Sequence, residues 1–352
     1  MNILYVHHRK IYSGAEKVLN DMLVSKHRTW NVFIFNPASQ QKVNLINSKY
    51  FESYNLTQRA NRSIIQYIFD TFRSSVEIIH IIKSEKIDVI HYNTFFSALR
   101  FLLLILFVRI RFYKIKQVYT LHDIFIDYQN RFLASILSFL VNNAIAVSYA
   151  TKNQFNVLSK RYFKVIHNGF EVNQTNNKNF NLKNVTIIGV FDPWKGQLGF
   201  IKSKSADQLS KIVLMGSEDN LDYKNEVIIN SKDNVKIFPF QKNPWKLVKK
   251  ENVSILLVCS TRPDPFPTVV LEAISNGIIP IVPDEGGAKE LIPENLRSCL
   301  VYKARNYDQI IDKIHSLNNQ NLDRMLLTLQ QNLRKNFTQE IKCNLHLDIY
   351  NG

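Results

Sequence analysis

The stretch Asp264-Pro-Phe-Pro-Thr-Val-Val-Leu-Glu272 decides the fold, because it joins two carboxylates eight positions apart to a loop-to-helix pattern. Pro265 and Pro267 keep its start irregular or place it in a first helical turn, where a missing N–H costs nothing. Residues 268–275 are predicted to be helical, and Asn276-Gly277 can end that helix. Asp264 then lies in the loop, and Glu272 lies about one turn into the helix.

The flanking segments predict a βαβ unit. The apolar run Val253–Cys259 is typical of a buried parallel strand, Ile278–Val282 is a second apolar run, and a loop containing Gly286-Gly287 follows. Ligands of open α/β sheets bind at the carboxyl ends of the strands, so the two carboxylates are predicted to lie at a binding site. The spacing alone leaves a second interpretation open, in which the segment is a surface turn, a buried helix and a capping acid.

The predicted start of the helix suits a phosphate group, because helix N-termini present free N–H groups and partial positive charge. A carboxylate one turn further along cannot serve the phosphate, but it can accept two hydrogen bonds from sugar hydroxyls. A phosphate site followed by a carboxylate that binds hydroxyls suits a nucleotide-sugar.

Residues 259–291 resemble the retaining glycosyltransferases of family 4, the group 1 glycosyltransferases. Those enzymes carry an acid-x7-acid motif, often written with Asp-Pro-Phe-Pro, then a helix that ends in Gly and a Gly-Gly loop. The resemblance implies an α/β chain of GT-B fold, with two Rossmann-like domains whose parallel sheets face a central cleft. It further implies an acceptor-side domain over residues 1–168, a linker over 169–184, a nucleotide-sugar domain over 185–336, and a C-terminal helix over 337–352 that returns to the first domain.

The composition agrees with two domains in a reducing compartment. A chain of 352 residues with 45% hydrophobic content can bury two cores. Cys259, Cys299 and Cys343 show neither paired nor metal-ligand spacing. The apolar start is too short for a signal peptide, and no apolar run reaches the roughly 18 residues of a membrane-spanning helix.

The net charge of +16 is concentrated in the first half, where residues 1–170 hold 22 basic and 9 acidic side chains. This predicts an anionic partner. The apolar run Phe101–Val108 is followed by basic residues, a pattern that fits a helix lying on anionic lipid. The alternative is a core helix with a solvated basic end. No signature of nucleic-acid binding accompanies the charge. The basic residues concerned are Arg109, Arg111, Lys114 and Lys116.

Short apolar strands alternate with helices along the chain, which indicates parallel sheets. One long amphipathic helix is predicted from apolar residues at helical spacing, and residues 38–62 are predicted to be irregular. The spaced residues are Ile65, Phe69, Phe72, Val76, Ile79 and Ile82. The further predicted strands are Ile3–Val6, Asn31–Phe35, Asp88–His91, Gln117–Leu121, Ala144–Ser148, Val185–Gly189, Lys211–Met215 and Asn234–Phe238.

In the first domain, the resemblance points to two positions. Gly14 follows the first strand in a loop where the family usually has two glycines, and Ser13 replaces the first of them. His122 follows the strand Gln117–Leu121, where the family has a His-bearing loop close to the reacting sugars. A pKa near neutrality would let His122 donate to, or accept from, a hydroxyl or a phosphate. The alternative is a structural His bonded to a loop carbonyl.

In the second domain, Lys195 matches the family's cation on the donor diphosphate. The family commonly places an Arg directly after the Gly of this loop, where this chain has Val190. One expected cation is therefore missing, and Arg262 is a candidate substitute. Pro239-Phe240 lies where the family holds its nucleobase.

The resemblance thus implies a hexosyltransferase that moves a sugar, with retention of configuration, from a nucleotide-diphosphate donor to a glycan or lipid-linked glycan acceptor. It suggests bacterial surface polysaccharide synthesis in the cytoplasm or on the inner face of the membrane, without metal or cofactor. An epimerase or phosphorylase of the same fold, and a non-catalytic sugar-nucleotide-binding protein, are the alternatives. The assigned residues are His122 and Asp264 as catalytic, and Gly14, Lys195, Arg262, Phe266, Pro267, Thr268, Val269 and Glu272 as donor-binding.

Overall fold

The computed structural model describes residues 1–8, 14–25, 30–36, 48–53, 63–171, 180–318 and 320–352. The chain forms two compact units. The first contains Met1–Gly169 together with Gln339–Gly352, and the second contains Phe170–Thr338.

The first unit is built on a seven-stranded parallel sheet with the order β3-β2-β1-β4-β5-β6-β7. The central strands are mostly apolar and are buried along almost their whole length, as helices on both faces require. The strands are β1 (Asn2–Val6), β2 (Asn31–Phe35), β3 (Ser48–Phe51), β4 (Val89–Tyr92), β5 (Lys116–Leu121), β6 (Asn143–Ala146) and β7 (Phe163–Val165).

Seven helices connect these strands in the described part of the unit. Several begin at a side chain that caps the first turn; Ser63 accepts from the Gln66 N–H before α2, and Asp127 accepts from the Asn130 N–H before α5. The helices are α1 (Gly14–Val24), α2 (Ile64–Ser84), α3 (Phe95–Arg100), α4 (Leu102–Arg111), α5 (Tyr128–Leu140), α6 (Tyr149–Asn153) and α7 (Val157–Lys160).

The second unit has a six-stranded parallel sheet with the order β10-β9-β8-β11-β12-β13. Its strands are β8 (Asn184–Ile188), β9 (Lys211–Gly216), β10 (Val235–Pro239), β11 (Ile255–Leu257), β12 (Ile279–Pro283) and β13 (Val301–Tyr302). Its helices are α8 (Gln197–Ile201), α9 (Lys204–Asp207), α10 (Leu221–Ile229), α11 (Pro244–Lys250), α12 (Thr268–Ser275), α13 (Arg297–Leu300), α14 (Gln309–Leu317) and α15 (Leu322–Asn336).

The last helix, α16 (Gln339–Asn351), follows a break at Phe337-Thr338 and belongs to the first unit. It contributes Cys343, Ile349 and Tyr350 to the core on one face of the first sheet, which also contains residues of α1. The opposite face carries a second core with residues of α2, α3, α4 and α5. The first sheet is therefore covered on both sides.

Three short strands differ from the sequence-based expectation. β3 lies inside residues 38–62, which were expected to be irregular, and β7 and β13 were not predicted. All three lie at or next to an edge of a sheet, where a strand of two to four residues carries too short an apolar pattern to be recognised.

The long helix α2 was predicted correctly, but its apolar residues do not all face the core. Ile82 is buried, whereas Ile65, Phe69, Phe72 and Val76 are exposed. Ser13 and half of the expected linker, residues 172–179, lie outside the described residues.

Candidate functional site

Helix α12 begins at Thr268 and ends at Ser275, the bounds that the sequence predicts. Pro267 precedes it in an extended conformation, and no described side chain caps its first turn. The N–H groups of Thr268 and Val269 thus stand at an uncapped helix start, a position that attracts anions. Gly277, with φ of 79°, follows its C-terminal end as expected for a C-cap glycine.

Asp264 is held in the loop between β11 and α12 by contacts to both its main chain and its side chain. It is only 8% exposed. Its carbonyl oxygen accepts from the Gly287 N–H at 2.8 Å. Gly286 has φ of 74°, and a Cβ there would lie 2.5 Å from the same oxygen. Gly286 is therefore required so that this loop can approach the Asp264 backbone.

Lys195 reaches the same place from the loop after β8. Its Nζ donates to Asp264 Oδ2 at 3.0 Å, in an ion pair that is largely buried. The same Nζ lies 3.7 Å from the centroid of the Trp194 ring, in cation–π geometry. The structure thus brings together two of the predicted site residues, which are 69 positions apart in the sequence.

The loop that carries Lys195 is fixed to the segment after β11. A 3-10 helix over Pro193–Lys195 begins at Asp192, whose Oδ1 accepts from the Trp194 N–H at 3.0 Å. The Trp194 carbonyl in turn accepts from the Thr261 N–H at 2.8 Å. Gly196 follows with φ of 74°, and a Cβ there would lie 1.9 Å from the Cys259 carbonyl oxygen. Lys195 and Asp264 are therefore positioned by main-chain contacts between neighbouring strand ends.

Glu272 has a partner that sequence reasoning missed. The indole N–H of Trp245, in α11, donates to Glu272 Oε2 at 3.3 Å. A single aromatic residue in a short polar helix gives no periodic signal, so its contact with a residue 27 positions away could not be predicted.

The remaining predicted residues of the second unit lie near Asp264 in sequence. Arg262 is exposed, two positions before it. The Phe266 ring is buried beside Phe337, with their centroids 5.8 Å apart, and Pro267 is buried as well. The Phe266 ring therefore belongs to the interior of the unit, which leaves its main chain for any contact with a ligand.

Val190, which stands where the family has an Arg, uses its carbonyl to accept from the Gln197 Nε2 at 2.9 Å. A further cation, which the sequence did not single out, contacts the segments on which Asp264 and Gly286 lie. The Arg305 guanidinium pairs with Glu285 and donates to the Thr261 carbonyl at 3.2 Å. Its charge is thus already matched by a neighbouring carboxylate.

His122 belongs to the first unit and directly follows β5. Its Nε2 is buried without a hydrogen-bond partner among the described residues. Burial, with a smaller contribution from the positive charge of Lys342, lowers the pKa of His122 to about 4, although Glu16 and a hydrogen bond to the Asn93 backbone oppose this shift. The expectation of a pKa near neutrality was therefore wrong: His122 is a neutral imidazole at physiological pH.

Other buried polar groups surround His122. It shares a small cavity of about 10 Å³ with His91, Lys342 and His346. His91 is held on both ring nitrogens, by the Tyr350 hydroxyl at 2.6 Å and by Thr120 Oγ1 at 2.7 Å. His91 is thus a structural residue, whereas His122 keeps one nitrogen without such a contact.

Gly14 is the first residue of α1, also in the first unit. It is exposed, and a Cβ added to it would meet no described atom within 4 Å. No packing contact with a described residue therefore requires a glycine at this position.

No described helix has the length and apolar composition needed to cross a membrane. Within the same described ranges, no three or more His, Cys, Asp or Glu side chains converge as metal ligands would.

Comparisons with known proteins place these elements in one family. The model for group 1 glycosyl transferases matches residues 170–340, and the model for glycosyltransferase family 4 matches residues 30–174. No curated protein sequence matches the chain.

Solved structures show the same fold at low identity. HepE from Anabaena, in complex with UDP and glucose, is 19% identical over 100% of both chains, with a TM-score of 0.75. A glycosyltransferase from Rickettsia africae is 18% identical over 99% of this chain and 97% of its own, with a TM-score of 0.77. The apo lipopolysaccharide outer core galactosyltransferase WaaB is 16% identical over 100% and 99%, with a TM-score of 0.70. The two family models together span residues 30–340, and the chain belongs to the group 1 glycosyltransferases of the GT-B fold.

Proposed function

We propose that this enzyme transfers a sugar from a nucleotide-diphosphate donor to a hydroxyl of a glycan or lipid-linked glycan acceptor, with retention of configuration. The observation that carries the proposal is the buried Lys195–Asp264 ion pair, which lies just before the uncapped start of α12. A cation, an anion-attracting helix start and a carboxylate at one strand end match the three parts of such a donor.

The diphosphate is assigned to Lys195 and the N–H groups of Thr268 and Val269. An ammonium group has three N–H donors, so Lys195 can keep its bond to Asp264 and still donate to a phosphate oxygen. These donors are fixed before the reaction, and they stabilise the negative charge that develops on the departing diphosphate.

The nucleoside is assigned to Glu272 and to the end of β10. The Glu272 carboxylate accepts from ribose hydroxyls, and the Trp245 N–H holds its other side. Phe240 follows β10 with an exposed ring, which can stack on a nucleobase. Arg262, exposed in the loop after β11, is the nearest candidate for the cation that Val190 does not supply.

The transferred sugar is assigned to Asp264, whose carboxylate accepts from its hydroxyls while Lys195 balances the charge. We assign His122 to the acceptor side on the family resemblance. A neutral imidazole serves there as a hydrogen-bond donor or acceptor, since a group whose pKa is about 4 holds little transferable proton at neutral pH. Gly14 is assigned to a main-chain contact with the donor.

The donor is proposed from the solved relatives, and the acceptor from the charge of the chain. HepE was crystallised with UDP and UDP-glucose, and WaaB is a lipopolysaccharide galactosyltransferase, so uridine diphosphate hexoses are the first donors to test. The basic first half of the chain favours an anionic acceptor, such as a lipid-diphosphate-linked glycan of a bacterial surface polysaccharide.

The test is a thermal-shift screen of UDP, GDP, ADP and their sugars, followed by transfer assays with the stabilising donor. A ligand that binds the folded enzyme raises its Tm by mass action. We expect transfer to an added acceptor, and proton NMR of the product should show the anomeric configuration of the donor. Epimerised donor formed without an acceptor would instead show the isomerase, and sugar 1-phosphate formed when inorganic phosphate replaces the acceptor would show the phosphorylase. Inversion of the anomeric centre would refute the retaining mechanism.

A further inference from the structure

Helix α2 exposes a row of large apolar side chains, which we call the α2 stripe. It consists of Ile65, Ile68, Phe69, Phe72 and Val76, which are 51–67% exposed. Their spacing from Ile65 is three, four, seven and eleven residues, so they lie on one side of the helix over about 16 Å. The opposite side of α2 carries its buried residues, which pack on the core.

Helix α4 repeats this arrangement. Leu103, Phe107 and Ile110 are exposed at spacings of four and seven residues, while Leu104 and Ile105 are buried. The buried sides of α2 and α4 contribute to the same core, so their outward sides lie on one face of the first unit.

The two helices are also linked directly. Arg100, which ends α3 just before α4, donates to Thr71 Oγ1 of α2 at 3.1 Å, and its guanidinium lies 4.4 Å from the centroid of the Tyr67 ring. The start of α4 therefore lies next to α2, on the side of α2 that carries Tyr67 and Thr71, and both exposed rows belong to the same face of the first unit.

Basic side chains border these rows. Arg73 on α2, with Arg111 and Lys114 at the end of α4, are exposed, and no described residue forms an ion pair with them. Arg109 and Lys116 are engaged otherwise: Arg109 donates to the Leu140 carbonyl at 2.7 Å, and Lys116 donates to the Asn351 carbonyl. The cations available to a partner therefore differ from the four basic residues named from the sequence. Two of the four residues that follow Phe101–Val108 hold the main chain of other helices.

We propose that the α2 stripe and the outward side of α4 dock the enzyme on an anionic lipid bilayer. Large apolar side chains that project from two helices can insert into the acyl layer of a bilayer, and this layer needs no groove that matches them. Residues 63–116 hold eight basic and four acidic side chains, so anionic headgroups complement their charge. The proposal does not depend on which sugar or acceptor the enzyme uses.

The experiment is flotation of the full-length protein with vesicles of pure phosphatidylcholine and of phosphatidylcholine with about a third phosphatidylglycerol. We expect binding to the anionic vesicles that weakens as salt is raised, because surface charge is screened. Phe69→Ser with Phe72→Ser should reduce the partition coefficient more than tenfold. Arg111→Glu with Lys114→Glu should reduce it on anionic vesicles by roughly fivefold or more for each cation.

The matched control is Ile228→Ser with Ile229→Ser, which removes two exposed apolar side chains at the end of α10 in the other unit. This variant should bind vesicles like the wild type. The proposal is overturned if the wild type does not float with anionic vesicles, or if the Phe69, Phe72 variant floats as well as the control. Light scattering supplies the other decisive outcome: a wild-type dimer that the Phe69, Phe72 variant converts to a monomer would show that the stripe binds a second copy of this chain.

Discussion

Replacing Lys195 by Met removes the positive charge of the Lys195–Asp264 pair and keeps much of the side-chain volume. Asp264 would then be a carboxylate at 8% exposure without its cation. Breaking a fully buried pair costs about 3–5 kcal/mol, and the residual exposure of Lys195 reduces this to about 2–3 kcal/mol. For a unit of this size, about 1 kcal/mol lowers Tm by about 2–4 °C, so we expect a decrease of about 4–12 °C in a thermal melt.

The same substitution has a separate effect on the donor. A charge-assisted hydrogen bond to the diphosphate is worth about 1.5–3 kcal/mol, which predicts a decrease of roughly tenfold to 150-fold in kcat/KM. The measurement is transfer of sugar from the donor that stabilises the wild type, at a temperature well below the Tm of the variant.

A second variant separates the two effects. Asp264→Asn combined with Lys195→Met leaves no unpaired buried charge, so the double variant should regain most of the lost Tm. It should not regain affinity for the nucleoside diphosphate, because the cation is still missing. Unchanged kcat/KM in Lys195→Met, or recovery of diphosphate affinity in the double variant, would refute the assignment of Lys195 to the diphosphate.

Three further predictions concern other parts of the two units. Gly196→Ala should destabilise the enzyme by about 2–4 kcal/mol in urea unfolding, because its Cβ would meet the Cys259 carbonyl and its φ is positive; a cost below about 1 kcal/mol would contradict the geometry. Trp245→Phe should raise the donor KM several-fold with little change in kcat, because Glu272 loses the N–H that orients it; an unchanged KM would show that the contact is structural only. The unfolded chain protonates His122 below a pH of about 6.5 while the folded enzyme does not until about 4, so stability should fall as pH is lowered through this window, by up to about 3 kcal/mol from this residue; His122→Gln should have a flatter profile between pH 4.5 and 7.

The bounds of α12 and the loops around it could be predicted because each depends on local chemistry. Pro267 marks the start, Gly277 marks the end, and Gly286 allows the close approach to Asp264. These residues act through backbone geometry, which neighbouring sequence largely determines. The family pattern then identified Lys195, whose contact with Asp264 no local rule could have given.

What the sequence could not supply were contacts between distant segments and the effects of burial. The Trp245–Glu272 hydrogen bond joins α11 to α12, and neither residue type predicts contact with the other. The pKa of His122 depends on how deeply its ring is enclosed and on Lys342, which comes from the C-terminal helix. Both are properties of the folded unit and cannot be read from spacing.

The α2 stripe shows why periodicity has limited power. Apolar residues at helical spacing establish that a helix has an apolar side, but the same spacing arises whether that side meets a sheet or another partner. In α2, Ile78 and Ile82 face the core of the sheet, whereas Phe69 and Phe72 lie on the outward side. A helix of 21 residues is about 32 Å long, and only a few of its turns pack on the sheet. The apolar side chains along the rest of the helix therefore require a second reason, and a bilayer that meets α2 and α4 together supplies one.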